Sequence, residues 1–164
     1  MIEVVRIPED RKRLLMAGEG KITKIIEEST GTKIECSDIV KISGEDSLRV
    51  LKAKEIVTAM GRGFTLKEAR RLLEKECELR IISLEGENLK TRKRLLGRVI
   101  GRQGKSKKWI EAKTGALICV KGKTLSIIGT PEELGPAEEA VEQLLNGKTH
   151  AYAYKKMNIK KAKT

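Results

Sequence analysis

The apolar and polar positions of this chain fall into short segments that are written out twice. Ile2 to Ile7 and Cys77 to Leu84 each read as a strand, and each leads into a helical stretch that runs up to a glycine-bearing turn. A second helix leaves each turn, over Gly20 to Ser29 and Gly104 to Lys113, and stops at Thr-Gly, where glycine supplies a left-handed cap. Two short strands follow: Lys33 to Cys36 with Val40 to Ser43, and Ala116 to Lys121 with Thr124 to Ile128. In the second copy Gly122-Lys123 leaves room only for a tight hairpin. A closing helix completes each copy, Ser47 to Met60 and Pro131 to Leu145, the latter opened by Pro131 with Glu132 and Glu133 complementing its dipole. The unit is β-α-α-β-β-α, an α+β fold.

The duplication is also literal. Met16 to Ile34 reads MAGEGKITKIIEESTGTKI, and Ile100 to Ile118 reads IGRQGKSKKWIEAKTGALI. At a constant offset of 84, Gly20, Lys21, Lys24, Ile26, Glu27, Thr30, Gly31 and Ile34 are identical to Gly104, Lys105, Lys108, Ile110, Glu111, Thr114, Gly115 and Ile118. Two copies at so long a period mean two homologous domains rather than a solenoid. The expected plan is a first domain over 1–64, a connecting helix over 65–76, a second domain over 77–147 and a basic, flexible tail over 148–164. The run Ala116-Leu117-Ile118-Cys119-Val120 is apolar at every position, which implies that both faces of that strand are covered in part.

Composition adds charge to this picture. The 164 residues carry 35 Lys and Arg against 23 Asp and Glu, a net charge of +12. Residues 1–80 hold 17 basic and 15 acidic residues, whereas 81–164 hold 18 and 8, so the excess belongs to the second half. Lys90 to Lys108 contains nine basic residues and no acid, and the tail adds six lysines and no acid. A polyanion is the favoured partner. No apolar run approaches the roughly 18–20 residues of a membrane span. The strand-like N-terminus lacks the form of a secretory signal. Three cysteines (Cys36, Cys77, Cys119) without a CxxC suit buried, reduced thiols in the cytoplasm, and a single histidine leaves no set for a metal or a triad. No cofactor is implied. With four aromatic residues, stacking platforms are excluded, and Trp109, aligned with Ile25, is expected to pack rather than stack on bases.

The candidate chemistry sits in the second turn. Gly101-Arg102-Gln103-Gly104 lies between two helices, so its backbone bends sharply and comes close to a ligand, while the next helix aims free N–H groups at the same place. Ile100, Ile118 and Val120 would floor a groove for unstacked bases; Arg98, Arg102, Lys105, Lys107 and Lys108 would add attraction to phosphate. Gly104-Lys105-Ser106 is no P-loop ending, because Val99 stands where the leading glycine is needed and a helix, not a strand, precedes the turn.

These residues resemble a KH domain: Ile100-Gly101-Arg102-Gln103-Gly104, then Ile110 and Thr114-Gly115-Ala116. The resemblance implies a GXXG turn that clamps about four nucleotides of single-stranded RNA. Lys107 departs from it, standing where many KH domains carry an aliphatic residue. Residues 1–150, with Gly61-Arg62-Gly63-Phe64 and Ala69-Arg70-Arg71-Leu72-Leu73 between the copies, resemble the archaeal two-KH proteins related to the small-subunit ribosome assembly factor called partner of Nob. That family resemblance implies tandem type I KH domains joined by an extra helix. It also implies a degenerate first domain, here Ala17-Gly18-Glu19-Gly20 with the leading glycine gone, and RNA binding by the second. The implied partners are the 3′ region of 16S rRNA, an rRNA-processing nuclease and the alpha subunit of translation initiation factor two. The implied role is noncatalytic ribosome assembly, or alternatively an RNA-binding translational adaptor acting mainly through the initiation factor.

Overall fold

The computed structural model describes residues 1–162, with side chains through Met157; Lys163 and Thr164, the end of the expected tail, lie outside the described residues. The chain forms two compact units, the first ending at Leu73 and the second beginning at Glu74. The first contains β1 (Ile2–Val5), α1 (Glu9–Thr30), β2 (Lys33–Cys36), β3 (Val40–Ser43), α2 (Ser47–Gly61) and α3 (Leu66–Ala69), then a 3-10 turn at Arg70–Leu73. The second contains β4 (Glu78–Ser83), α4 (Leu89–Ile100), a 3-10 turn at Arg102–Gly104, α5 (Lys105–Thr114), β5 (Leu117–Lys121), β6 (Thr124–Gly129), α6 (Pro131–Leu145) and α7 (His150–Ala162). Each sheet has three antiparallel strands, in the orders β1-β3-β2 and β4-β6-β5. Nominally one helix, α1 is two, because Ala17 to Gly20 leave helical geometry.

The central strand organises the second unit. Leu125 and Ile127 of β6 pair with Val120 and Ile118 of β5 and enter a core with Leu96, Val99, Ile110, Val141 and Leu144. Each such aliphatic side chain contributes about 1.5–3 kcal/mol of burial. On the reverse face of β6, Ser126 and Ile128 are fully buried too. In β5 only Ile118 is buried and its neighbours are half-buried, so the unbroken apolar run does mark a strand shielded on both faces.

The identities between the copies are mostly scaffold. The Glu27 and Glu111 carboxylates each accept the backbone N–H of the first buried residue of the following strand, Ile34 and Ile118, at 2.9 Å. The Thr30 and Thr114 hydroxyls donate to carbonyls one turn back, and Gly31 and Gly115 supply the left-handed caps. Ile26, Ile34, Ile110 and Ile118 are core.

A further shared device has no trace in the aligned residues. Arg11 donates from Nε to the Met60 carbonyl and from Nη2 to that of Phe64, both at 2.7 Å. Arg98 donates from Nε to the Leu144 carbonyl at 2.9 Å and from Nη2 to that of Lys148. The acceptors keep the offset of 84, but the arginines stand three residues out of register, about one helical turn. Neither α2 nor α6 has a basic residue in its own last turn, so the arginine from the neighbouring helix supplies the charge that the carbonyl end favours.

Three expectations are corrected. The connecting helix over 65–76 is the four-residue α3, capped by Thr65 and Glu68, followed by 3-10 winding. Ala69 and Leu72 are both buried, and 3-10 geometry places residues three apart on one line. The tail is not flexible over its described part: α7 packs on the second unit through fully buried Ala153 and Met157, and His150 Nε2–H donates to the Arg98 carbonyl at 2.9 Å. Its Tyr154 ring lies 3.9 Å, centroid to centroid, from that of Trp109, which is therefore a packing residue. Of the cysteines only Cys77 is buried; Cys36 and Cys119 are half-buried, and burial pushes the Cys36 thiol up against the opposing pull of Lys12.

Arg98→Ala is expected to destabilise the second unit by about 2 kcal/mol, the scale of charge-assisted hydrogen bonds lost, and Arg98→Lys to recover less than half, for want of a fork. Urea unfolding followed by the fluorescence of Trp109, the sole tryptophan, measures both; an unchanged midpoint in the alanine variant would refute the clamp.

Candidate nucleic-acid interface

The turn between α4 and α5 is built from backbone conformations that side chains resist. Gly101 has φ 75° and ψ 174°, Gln103 φ 56° and ψ 27°, Gly104 φ 74° and ψ 11°. The first is a region open essentially to glycine alone. A Cβ on Gly101 would also stand 2.6 Å from the Ser106 Cβ and 2.8 Å from its nitrogen. Ser106 is buried, and its Oγ lies 3.2 Å from the Tyr154 hydroxyl, so α7 holds the start of α5 from behind. Ser106 and Tyr154 build the site from behind, a role that sequence reasoning gives to neither: it leaves Tyr154, with Tyr152, open between stacking on bases and on a partner. A serine in a lysine run and a tyrosine in a lysine tail carry no motif.

At the start of α5 no side chain caps the helix, and its first turn holds no acid. By contrast α4 is capped by Asn88, α6 by the Thr130–Glu133 box and α2 by Asp46. Arg102, Gln103, Lys105 and Lys108 are exposed around this uncapped end, and none of the three cations forms an ion pair among the described residues. The positive end of a helix dipole, without a side-chain cap, and unpaired cations together suit a phosphate.

The structure does not bring all eleven expected residues to that surface. Gly101 and Gly104 are half-exposed in the turn, with Ile100 and Val120 half-exposed in α4 and β5. Ile118 is 1% exposed and belongs to the core, so it cannot floor a groove. Arg98 is turned inward onto α6, its guanidinium engaged as described, because the carbonyl end of that helix attracts it. Lys107 pairs with Glu111 at 3.4 Å on its own helix.

In the first unit the equivalent turn takes another path. Ala17 has φ −60° and ψ 152°, and the positive φ falls on Gly18, at 63°. Glu19 (φ 58°) and Gly20 (φ 78°) keep the conformations of Gln103 and Gly104. Losing the leading glycine thus redirects the first half of the turn, and Glu19 places an exposed carboxylate where a phosphate would approach.

Gly101→Ala is expected to cost the second unit about 1–3 kcal/mol through strained backbone and the Ser106 clash. Gly104→Ala, whose added Cβ would meet nothing nearer than Lys108 Cε at 3.9 Å, is expected to cost only about 1–2 kcal/mol. Trp109 fluorescence during urea unfolding ranks the two, and the reverse order would contradict the geometry.

Comparisons with known proteins identify the family. A family model for the second KH domain of PNO1, described as a eukaryotic-type KH domain (KH-domain type I), matches residues 77–162. The KH domain-containing protein MJ0443 of Methanocaldococcus jannaschii is 42% identical over 162 residues, covering 94% of this chain and 71% of that protein. The pre-rRNA-processing protein pno1 of Aspergillus fumigatus is 31% identical over 117 residues, covering 66% of this chain and 45% of that protein. Among solved structures, the a/eIF2alpha-aDim2p-rRNA complex from Pyrococcus horikoshii OT3 contains a chain of TM-score 0.92 and 38% identity, with 100% of this chain and 96% of that one covered. This chain belongs to the PNO1/Dim2 family of KH-domain proteins.

Proposed function

We propose that this chain is a noncatalytic RNA-binding ribosome assembly factor that holds single-stranded small-subunit rRNA near its 3′ end through Gly101 to Gly104. The uncapped start of α5 behind an exposed, glycine-flanked turn carries this reading, with Arg102, Lys105 and Lys108 around it, none of them paired among the described residues. The name of the fungal relative, a pre-rRNA-processing protein, supports the assembly role. The first unit repeats the element order and the strand order of the second, which supports reading it as a degenerate KH domain. Its acid-bearing turn suits a protein partner better than RNA, and a processing nuclease would act on the rRNA end held by the second unit.

A second reading, an RNA-binding translational adaptor, is favoured by one observation: the similar Pyrococcus horikoshii protein was solved together with a/eIF2alpha as well as rRNA. Oligonucleotides from the rRNA 3′ end should bind more tightly than scrambled ones under the first reading. Equal binding, with retained affinity for the initiation-factor subunit, would favour the second.

Replacing Arg102 and Gln103 together by Asp leaves both glycines and sets two acids beside the phosphate position. RNA affinity is expected to fall at least about tenfold, roughly 1.4 kcal/mol, with helix content by circular dichroism unchanged. Gly18→Asp, at a left-handed position that Asp tolerates, should disturb RNA binding far less. Undiminished binding by the folded double variant would sink the site assignment.

A further inference from the structure

We propose that the exposed face of α4 extends the RNA path beyond the turn, as a track for the phosphate backbone of a longer single strand. The proposal rests on the reading of Gly101 to Gly104 as an RNA clamp. Lys90, Lys93, Arg94 and Gly97 recur at spacings of three and four and so share one face of α4, with Gly101 next in the series just past its end, while Leu96 and Val99 are buried on the other. The first four are exposed, and none of the three cations has a carboxylate partner among the described residues.

Two features of this face work against the free protein. Lys90, Lys93 and Arg94 crowd like charges at spacings of three and four, near the end of the helix where the dipole disfavours cations; the first turn holds no acid to offset them. Gly97 sits in the helix interior, where glycine is less stable than alanine, although an added Cβ would meet nothing within 4 Å. Packing therefore explains neither choice. A phosphodiester backbone explains both, because it neutralises the cations and lies close against a surface without a Cβ. From Lys90 to Gly101 the face runs about 16 Å and ends at the first residue of the turn, so one strand occupies both.

The test uses the full chain with two RNAs from the small-subunit rRNA 3′ end, one of about four nucleotides, the length a KH groove holds, and one three times longer. In the variant carrying Lys90→Gln, Lys93→Gln and Arg94→Gln, affinity for the longer RNA should fall about tenfold, and its salt slope should flatten by about two units, at about 0.7 per phosphate. The short RNA should bind as to the parent protein. Equal loss on both lengths, or no loss on the longer, overturns the track. Gly97→Ala should raise the thermal midpoint yet weaken the longer RNA; unchanged affinity would overturn the close approach. The Arg102→Asp/Gln103→Asp variant keeps the two ideas apart. If it retains both RNAs while the triple glutamine variant loses the longer one, the clamp reading fails and the track stands.

Discussion

The reversal from α4 into α5 is completed in four residues, and it depends on Gly101 pressing its bare Cα against Ser106. Any side chain at 101 would push the two helices apart. With glycine there, the chain turns tightly enough for α5 to start at the surface without a side-chain cap. The left-handed backbone at Gln103 costs about 1–2 kcal/mol in a non-glycine residue. The packing behind it offsets that cost: Ser106 against Tyr154, Tyr154 against Trp109, and buried Ala153 and Met157 fixing α7. Helix α7, though rich in lysine, thus serves the turn as a support.

The two units show which parts of such a turn are scaffold and which are specific to one copy. Glu27 and Glu111, Thr30 and Thr114, and Gly31 and Gly115 do the same local work in each, tying the second helix to the strand that follows. Divergence falls at positions 17 and 101 and at 19 and 103. There the backbone path or the charge changes without disturbing the core. The first turn has lost the leading glycine and gained a carboxylate, and the fold around it is kept.

Charge in the second unit divides by geometry rather than by sequence. Arg98 neutralises the carbonyl end of α6, and Lys107 answers Glu111, so neither is free for a ligand. Among the described residues Arg102, Lys105 and Lys108 stay unpaired at the surface, as do Lys90, Lys93 and Arg94 on α4. A basic run of nine residues is therefore partly internal wiring and partly an electrostatic surface, and net charge alone does not separate the two.

The element order, the repeat and the position of the turn were legible in the sequence because each rests on local rules. These are apolar alternation, Thr-Gly stops, glycine spacing and a helix-opening proline. What the sequence did not reveal depends on partners distant along the chain. Ile118 looks like a groove residue until the core it shares with Val99, Ile110, Ile127 and Val141 is seen to bury it, and Arg98 looks like a phosphate ligand until α6 ends beside it. The arginine clamp escaped the repeat because its acceptors are backbone carbonyls, which have no letter, and its donors are out of register by a turn. Residues 148–157 read as part of a flexible tail because their apolar stripe is only Ala153, Tyr154 and Met157. Tertiary structure alone decided that this stripe meets Trp109 and Ser106, since a helix so short and polar is marginal in water and is stabilised by what it packs against.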